Sequence, residues 1–277
     1  MKVVLFCGGY GMRMRNGSAD DLPKPMHPVG PRPLLWHVMR YYAHFGHKDF
    51  ILCLGYGAQY IKDFFLNYAE TTSNDFVLRD GKVELLSTDI SDWTITFAQT
   101  GQNSPIGERL RRVRHLLEGE EMFLANYADV LTDAPLDEMV RRFGTSGASA
   151  SMMVVPPQSS FHCVDLGENG KVSGITPVSS LPLWENGGFF VLRPEVFEHI
   201  PENGDLVEDG CGALAKQGKL LAYPYRGFWQ PADTVKERVA LEQGYQAGDR
   251  PWMLWEQESA AAVDSAPVAK VLRLSGV

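Results

Sequence analysis

The segment LFCGGYGMRMR, residues 5–15, joins an apolar run to a glycine-rich turn and decides the predicted fold. Residues 3–6, VVLF, form a short apolar run with β-branched side chains. Such a run is typical of a strand that is buried on both faces of a parallel sheet. Open α/β sheets bind ligands at the carboxyl ends of their strands, where this run meets Gly8 and Gly9. The segment therefore predicts an α/β protein with a ligand-binding loop after its first strand.

Strand and helix patterns alternate after this loop. Residues 34–45 carry apolar groups at helical spacing and end at Gly46, which is typical of a helix cap. A strand over 49–56 and a helix over 58–68 follow. This alternation implies right-handed βαβ crossovers and a mostly parallel sheet with helices around it.

The second half of the chain is richer in strand patterns. Further strands are predicted over 93–101, 121–130, 147–157 and within 161–183, an arginine-rich helix over 108–119, and a strand followed by a helix over 187–200. We expect residues 1–256 to form one domain, and residues 257–277, which are rich in Ala and Ser, to be a tail.

Composition narrows the class of protein. The 277 residues carry a net charge of -8, which argues against generic nucleic-acid binding because duplex-binding proteins present a basic face. The four cysteines form no CxxC pair, so a structural zinc site or a disulfide scaffold is not expected. No apolar run approaches the roughly 20 residues that span a bilayer. We expect a cytoplasmic protein with no membrane partner.

The opening loop matches neither common nucleotide-binding fingerprint. Met14 stands where a dinucleotide-binding loop has its third glycine, and the G-K-[ST] end of a Walker A loop is absent. Arg13, Arg15 and Lys24 nevertheless follow the glycines, and such a set suits phosphate oxygens. The alternative interpretation is a plain tight turn with exposed charges.

The motifs that follow resemble one enzyme family. GGYGMRMR and PKPMHPVGPRPLLWHVM, at residues 8–15 and 23–39, are similar to the G-G-x-G-x-R-L and K-P-M signatures of the sugar-phosphate nucleotidyltransferases. NGGFFVL at 186–192 and GFWQPADT at 227–234 are similar to later stretches of the glucose-1-phosphate cytidylyltransferases within that family. The similarity extends from residue 1 to about 256.

The resemblance implies a Rossmann-like nucleotidyltransferase fold: a mostly parallel central sheet, helices on both faces and a small β insertion over the active site. It also implies transfer of a nucleotidyl group from an NTP, here CTP, to a sugar 1-phosphate, here α-D-glucose 1-phosphate, with Mg²⁺ as the cofactor. A homo-oligomer is expected on the same basis. Because the sugar phosphate is already an anionic nucleophile, the enzyme needs positioning and charge stabilisation rather than a general base.

The family's functional residues map onto specific positions of this chain. The nucleotide-binding positions are Gly8, Gly9, Gly11, Arg13, Lys24, Gly107 and Arg109, of which Arg13 and Lys24 are the catalytic cations; the sugar-phosphate positions are Asn186, Gly187, Gly188 and His162; and the metal-binding positions are Asp129 and Asp233.

Several signature positions differ from the family pattern. Met12 replaces a threonine, Val130 replaces the second glycine of G-D-G, and Thr176 replaces the lysine of E-K-P. Because valine rarely adopts a positive φ, we expect the turn at Asp129 to be arranged differently. The changes leave three hypotheses: an active enzyme as above, an active enzyme for another sugar phosphate, or a nucleotide-binding relative without turnover. The retained Arg13, Lys24 and paired aspartates favour activity.

Overall fold

The computed structural model describes residues 1–9 and 22–256. Fifteen strands lie within these ranges: β1 (Lys2–Phe6), β2 (Pro28–Val29), β3 (Arg32–Pro33), β4 (Asp49–Leu54), β5 (Phe76–Arg79), β6 (Lys82–Leu85), β7 (Thr94–Gln99), β8 (Phe123–Asn126), β9 (Val130–Thr132), β10 (Ala150–Val155), β11 (His162–Leu166), β12 (Val172–Pro177), β13 (Glu185–Leu192), β14 (Leu220–Pro224) and β15 (Trp229–Pro231). The α-helices of the same ranges are α1 (Leu34–His44), α2 (Ala58–Leu66), α3 (Ile106–Arg112), α4 (Leu136–Gly144), α5 (Gly212–Lys216) and α6 (Val235–Ala247).

Seven strands form the central sheet, in the order β14-β10-β13-β8-β1-β4-β7. The neighbours β8, β1, β4 and β7 run parallel, as do β10 and β14. Strand β13 runs antiparallel to both of its neighbours. The predicted mostly parallel sheet is therefore confirmed, with one reversed strand near its middle.

Both faces of this sheet are buried under helices. Alternate residues of β1 face opposite sides, so that Val3 and Leu5 join one core while Val4 and Phe6 join the other. Side chains of α1 and α4 fill the first core, and side chains of α3 and α5 fill the second. This double burial explains why β1 reads as a continuous apolar run rather than an alternating one.

Four small two-stranded sheets surround the central one. The pairs are β2 with β3, β5 with β6, β9 with β15, and β11 with β12. The hairpin β11–β12 interrupts the passage from β10 to β13 and is the predicted small β insertion. The antiparallel pair β9–β15 joins two segments that are distant in sequence. These additions, rather than the central sheet, carry much of the site described below.

Two sequence predictions need adjustment. The helix expected after β13 is a 3-10 helix over Pro194–Glu198, because a proline begins the segment and only one short turn packs on the sheet. The predicted arginine-rich helix stops at Arg112, and a 3-10 helix continues over Arg114–Leu117. The predicted tail, 257–277, lies outside the described residues. Among those that are described, no helix is both long enough and apolar enough to cross a bilayer.

Candidate active site

The first glycines of the opening loop lie at the carboxyl end of β1, as predicted. Gly8 follows the buried Cys7, whose N–H donates to the carbonyl of Cys53 on the neighbouring strand β4. No atom of the described residues would lie within 4 Å of a β-carbon on Gly9, so that part of the chain leaves space beside the backbone there. Such space lets a ligand approach the main chain closely. The predicted nucleotide contacts Gly11 and Arg13 lie outside the described residues.

A buried arginine fills the space beneath this loop. Arg109 is 4% exposed, and its guanidinium donates to the carbonyls of Gly8 at 3.0 Å and Gln102 at 3.2 Å. It also donates to Thr100 Oγ1 at 3.1 Å. These acceptors follow the carboxyl ends of β1 and β7, so one side chain ties together the loops at those ends. In this geometry Arg109 supports the loop from below, and a direct contact with nucleotide stays a prediction.

Gly107, also predicted to contact nucleotide, has a packing role in the structure. It lies in α3, where an added β-carbon would stand 2.5 Å from the carbonyl oxygen of Gly204 and 2.7 Å from Ile200. The absence of a side chain therefore allows α3 to pack closely on the segment before the π-helix Leu206–Cys211. The geometry gives no support to a nucleotide contact by Gly107, because its free side faces protein rather than the loop.

Lys24 and the two predicted metal-binding aspartates converge on one point. Lys24 Nζ donates to Asp129 Oδ2 at 3.0 Å and also to Asp233 Oδ1. The three residues are far apart in sequence, with separations of 105 residues between Lys24 and Asp129 and 209 between Lys24 and Asp233. The sequence prediction that these side chains share a site agrees with this arrangement.

The pair β9–β15 explains how the two carboxylates meet. Asp129 immediately precedes β9, and Asp233 follows β15 by two residues. Val130 pairs with Pro231 in this ribbon, and Asp129 accepts a backbone hydrogen bond from Ala232 at 2.9 Å. Both acidic residues are therefore held at the same end of one ribbon.

The turn at Asp129 contains a positive φ, and it falls on the residue before the aspartate rather than on the residue after it. Ala128 has φ of 63°, whereas Val130 begins the extended strand β9. Asn126 Oδ1 accepts the N–H of Ala128 at 2.7 Å, which holds this conformation in place. Ala128 stands at the first glycine of the family's G-D-G motif and adopts a left-handed backbone conformation. Alanine tolerates this conformation better than a β-branched residue would.

The electrostatics of this cluster suit a divalent cation. Burial raises the pKa of Asp129, and the nearby carboxylate of Asp233 adds to the shift, although Lys24 opposes it. Burial lowers the pKa of Lys24, but the attraction of Asp129 and Asp233 outweighs it, so that its pKa is raised and the ammonium stays charged. Two carboxylate oxygens that converge on one cation fit Mg²⁺, which is commonly held by one or two carboxylates and by substrate phosphates. The residues present therefore fit the predicted metal.

The predicted sugar-contacting residues Asn186, Gly187 and Gly188 lie near the start of strand β13. Asn186 Oδ1 accepts the N–H of Gly188 at 2.9 Å, and Asn186 Nδ2 donates to the hydroxyl of Tyr127 at 2.8 Å. Gly188 has φ of 79°, and a β-carbon there would stand 2.8 Å from the Tyr127 ring. The indole of Trp229 donates to the carbonyl of Gly187 at 2.8 Å. Strand β13 and ribbon β9–β15 are thereby fixed against each other.

A cavity of about 710 Å³ opens between these elements. It is lined by Tyr127, Asp129, Val130, Gln158, Ser159, Ser160, Phe161, Glu185, Asn186, Gly187, Trp229, Gln230, Pro231, Asp233, Thr234, Lys236, Glu237 and Ala240. The cavity places both aspartates, Asn186 and Gly187 on one surface, whereas Gly188 is not in its lining. Its volume suits a small polar ligand.

His162 lies outside this lining. It begins the exposed strand β11 and pairs with Pro177 of β12, while the neighbouring residues 158–161 reach the cavity. Thr176, at the position of the family's E-K-P lysine, is a half-buried strand residue that is not among those lining the cavity. The predicted sugar contact by His162 is therefore not supported by its placement.

Sequence reasoning missed several lining residues. Gln158, Glu185 and Lys236 bring an amide, a carboxylate and an ammonium group to the cavity. Only their neighbours carried a signal, because Glu185 precedes N-G-G and Lys236 follows Q-P-A-D-T. Polar residues next to a recognised motif were the available clue.

Comparison with known proteins agrees with this geometry. The model of the family described as nucleotidyl transferase matches residues 2–236. The chain belongs to this family. Its sequence is 34% identical to the glucose-1-phosphate cytidylyltransferase of Salmonella typhimurium over 262 residues, which cover 92% of this chain and 100% of the relative. The predictions of an enzyme and of the sugar-phosphate nucleotidyltransferase family are confirmed.

More distant relatives define what the family shares. The mannose-1-phosphate guanylyltransferase catalytic subunit beta of Xenopus tropicalis is 26% identical over 266 residues, covering 91% of this chain and 68% of the relative. A UTP-bound UGPase from Acinetobacter baumannii has the same fold, with a TM-score of 0.66, 19% identity and coverage of 94% of this chain and 98% of that one. The shared chemistry is nucleotidyl transfer from an NTP to a sugar 1-phosphate, whereas base and sugar vary among these relatives.

Proposed function

We propose that this enzyme transfers a cytidylyl group from CTP to α-D-glucose 1-phosphate, with Mg²⁺, and releases CDP-glucose and pyrophosphate. The observation that carries the proposal is the convergence of Lys24, Asp129 and Asp233 beside a cavity that is large enough for a sugar phosphate. The choice of CTP and glucose is supported by the full-length similarity to a glucose-1-phosphate cytidylyltransferase.

Catalysis of this reaction depends on stabilising the negative charge of the phosphate groups rather than on transferring a proton. An oxygen of the sugar phosphate attacks the α-phosphorus of CTP, a new P–O bond forms, and the bond to the β-phosphate breaks so that pyrophosphate leaves with the electron pair. Lys24 uses two of its three N–H donors on Asp129 and Asp233, which leaves one for an oxygen of the α-phosphate. Asp129 and Asp233 would hold the Mg²⁺, whose charge would screen the two polyanions from each other.

The rigid parts of the site supply the positioning. Arg109 holds the carbonyl of Gly8 and so fixes the start of the loop that would receive the triphosphate. Trp229 and Tyr127 fix the N-G-G segment of β13, whose backbone would face the sugar. Groups that are held in place by such contacts need little reorganisation during the reaction, and this lowers the barrier to transfer.

A pyrophosphate-release panel tests the proposal. Each of CTP, UTP, GTP, ATP and dTTP is combined with several sugar 1-phosphates, with Mg²⁺ and with EDTA. We expect the highest kcat/KM for CTP with glucose 1-phosphate, and no release with EDTA. Higher kcat/KM for another base would disprove the CTP assignment. Binding of CTP without turnover for any pair would instead support a nucleotide-binding relative that has lost catalysis.

A second candidate is a different sugar 1-phosphate, and one observation favours it. Glu185, which has a carboxylate side chain, lines the cavity, and Thr176 stands where the family has a lysine. A carboxylate accepts hydrogen bonds from hydroxyl groups and pairs with amino groups, so it selects among sugars by their substituents. In the same panel, this candidate predicts that an amino-sugar 1-phosphate gives a higher kcat/KM than glucose 1-phosphate.

A further inference from the structure

The lining of the cavity carries an excess of negative charge. Among the described residues that line it, the acids are Asp129, Glu185, Asp233 and Glu237, and the one cation is Lys236. Lys24 adjoins the cavity but gives two donors to Asp129 and Asp233. A sugar 1-phosphate is itself anionic, so it would be repelled from such a surface unless a cation met its phosphate group.

The geometry of α6 directs Lys236 toward this space. Lys236 lies in the first turn, and Ala240, four residues later and on the same helical face, also lines the cavity. Glu237 is held in the capping box, where its carboxylate accepts the N–H groups of Asp233 and Thr234, both at 2.8 Å. The same turn therefore anchors Asp233 and places Lys236 in the cavity lining three residues later.

This chain lacks the E-K-P lysine that the family pattern provides for the sugar phosphate. Thr176 occupies the position of the family's lysine, and it lies on the exposed hairpin β11–β12 outside the cavity lining. Lys236 comes from another element, since α6 begins at Val235 beyond the ribbon β9–β15. Thr176 is uncharged, whereas Lys236 carries an ammonium on a long flexible stem that can reach a phosphate group in the cavity.

We propose that Lys236 binds the phosphate group of the sugar 1-phosphate and thereby replaces the cation that Thr176 does not provide. This inference rests on the proposed function, because it names the residue that recognises one of the two substrates. The group acts through an ammonium–phosphate ion pair with hydrogen bonds, which is stronger than a neutral hydrogen bond. It contributes to binding of the sugar phosphate and not to binding of the nucleotide.

Steady-state kinetics of Lys236→Met test the proposal. We expect the KM for the sugar 1-phosphate to rise about tenfold or more, while the KM for CTP changes less than about twofold. Lys236→Arg should restore most of the affinity, because a guanidinium also pairs with phosphate. The matched control is Lys216→Met, which removes an exposed lysine from α5, away from the cavity lining, and should leave both KM values unchanged. An unchanged KM for the sugar phosphate in Lys236→Met, or an equal rise in both KM values, overturns the proposal.

Calorimetry separates this inference from the proposed function. Glucose 1-phosphate is titrated into the full chain in the presence of a non-hydrolysable CTP analogue, and neutral glucose serves as the reference probe. If the wild type shows no turnover with any substrate pair, the proposed function is wrong, and the titration alone decides the role of Lys236. A loss of affinity of about tenfold for glucose 1-phosphate in Lys236→Met supports the role. Equal affinity in both proteins, or no binding to either, overturns it.

Discussion

Substitution by alanine should have different effects at two adjacent glycines of the opening loop. We expect it to lower stability at Gly8 and to weaken nucleotide binding at Gly9. In Gly8→Ala, the new β-carbon would stand 2.0 Å from Nη1 of Arg109, 2.6 Å from its Cζ and 2.9 Å from the backbone nitrogen of Gly55. In Gly9→Ala, the new β-carbon would meet no atom of residues 1–9 and 22–256 within 4 Å. Neither glycine has a positive φ, so both alanines are allowed by the backbone itself.

The expected loss of stability in Gly8→Ala follows from what the β-carbon displaces. Overpacking of a filled site costs about 1–3 kcal/mol. If the guanidinium of Arg109 shifts so that one of its hydrogen bonds to Gly8, Gln102 and Thr100 is lost, that bond adds about 1.5–3 kcal/mol to the cost. The glycine-to-alanine entropy gain returns only about 0.4–1 kcal/mol. We therefore expect a net loss of about 3 kcal/mol, and for Gly9→Ala a change within about 0.5 kcal/mol.

Urea unfolding and nucleotide binding measure the two effects separately. The chain has six tryptophans, so that fluorescence can follow unfolding. We expect a lower midpoint with an unchanged m-value for Gly8→Ala. Gly9→Ala should unfold like the wild type but bind CTP with Mg²⁺ about tenfold more weakly, because its β-carbon occupies space where phosphate would approach the backbone. A wild-type midpoint for Gly8→Ala would refute the role given to Arg109, and wild-type CTP affinity for Gly9→Ala would refute the ligand role of that glycine.

Three further predictions concern the carboxylates, the turn before them and a buried histidine. Asp129→Asn and Asp233→Asn should each reduce pyrophosphate release at least about a hundredfold at saturating Mg²⁺, since each removes a charge that holds the metal; wild-type rates in both would disprove the metal assignment. Ala128→Val should lose about 2–3 kcal/mol of unfolding free energy, because a β-branched side chain is strained at φ of 63°, whereas Ala128→Gly should stay within about 1 kcal/mol of the wild type. Burial lowers the pKa of His37 from its ordinary 6.5 to about 4, so that below pH 6.5 the unfolded chain takes up a proton that the folded chain excludes. The unfolding free energy should then fall with pH by about 1 kcal/mol at pH 5.5 and about 2–3 kcal/mol at pH 4.5 relative to His37→Gln, and parallel pH profiles of the two proteins would contradict this.

The α/β fold can be predicted from local sequence patterns because a strand that is buried on both faces is apolar without interruption. Residues 3–6 are apolar without interruption, and the structure shows why, since alternate side chains enter two separate cores. The helix Leu34–His44 was likewise visible from its apolar spacing. The 3-10 helix Pro194–Glu198 was not, because a short turn and a helix share the same local residue preferences.

The candidate site was only partly accessible. Lys24, Asp129 and Asp233 stand in motifs, so a resemblance placed them in one site before any contact was known. Arg109 and Gly107 also match functional positions of the family, but such a match carries no information about which way a side chain faces. In the fold, the guanidinium of Arg109 lies under the loop, and Gly107 packs on the backbone of Gly204. Long-range packing set these outcomes, and no local pattern records it.

The proposed role of Lys236 could not be predicted from the sequence alone. Its neighbours form a recognisable motif, yet an exposed lysine in the first turn of a helix is ordinary in sequence. The residue becomes notable only when the acids around the cavity are known, since these come from three separate places in the chain. Charge balance of a cavity is a property of the assembled fold.

The wide sequence separation of the convergent cluster has a consequence during synthesis. Lys24 must meet Asp129, 105 residues later, and then Asp233, 209 residues later. A nascent chain that has folded its first strands still lacks the second carboxylate until the ribosome has released the segment that contains α6. Chains emerge from the N-terminus at about 5–20 residues per second, so most of the sheet is made before the site can exist. A chain terminated before Asp233 would therefore lack the second carboxylate of the proposed metal site, so that activity would require synthesis through that residue.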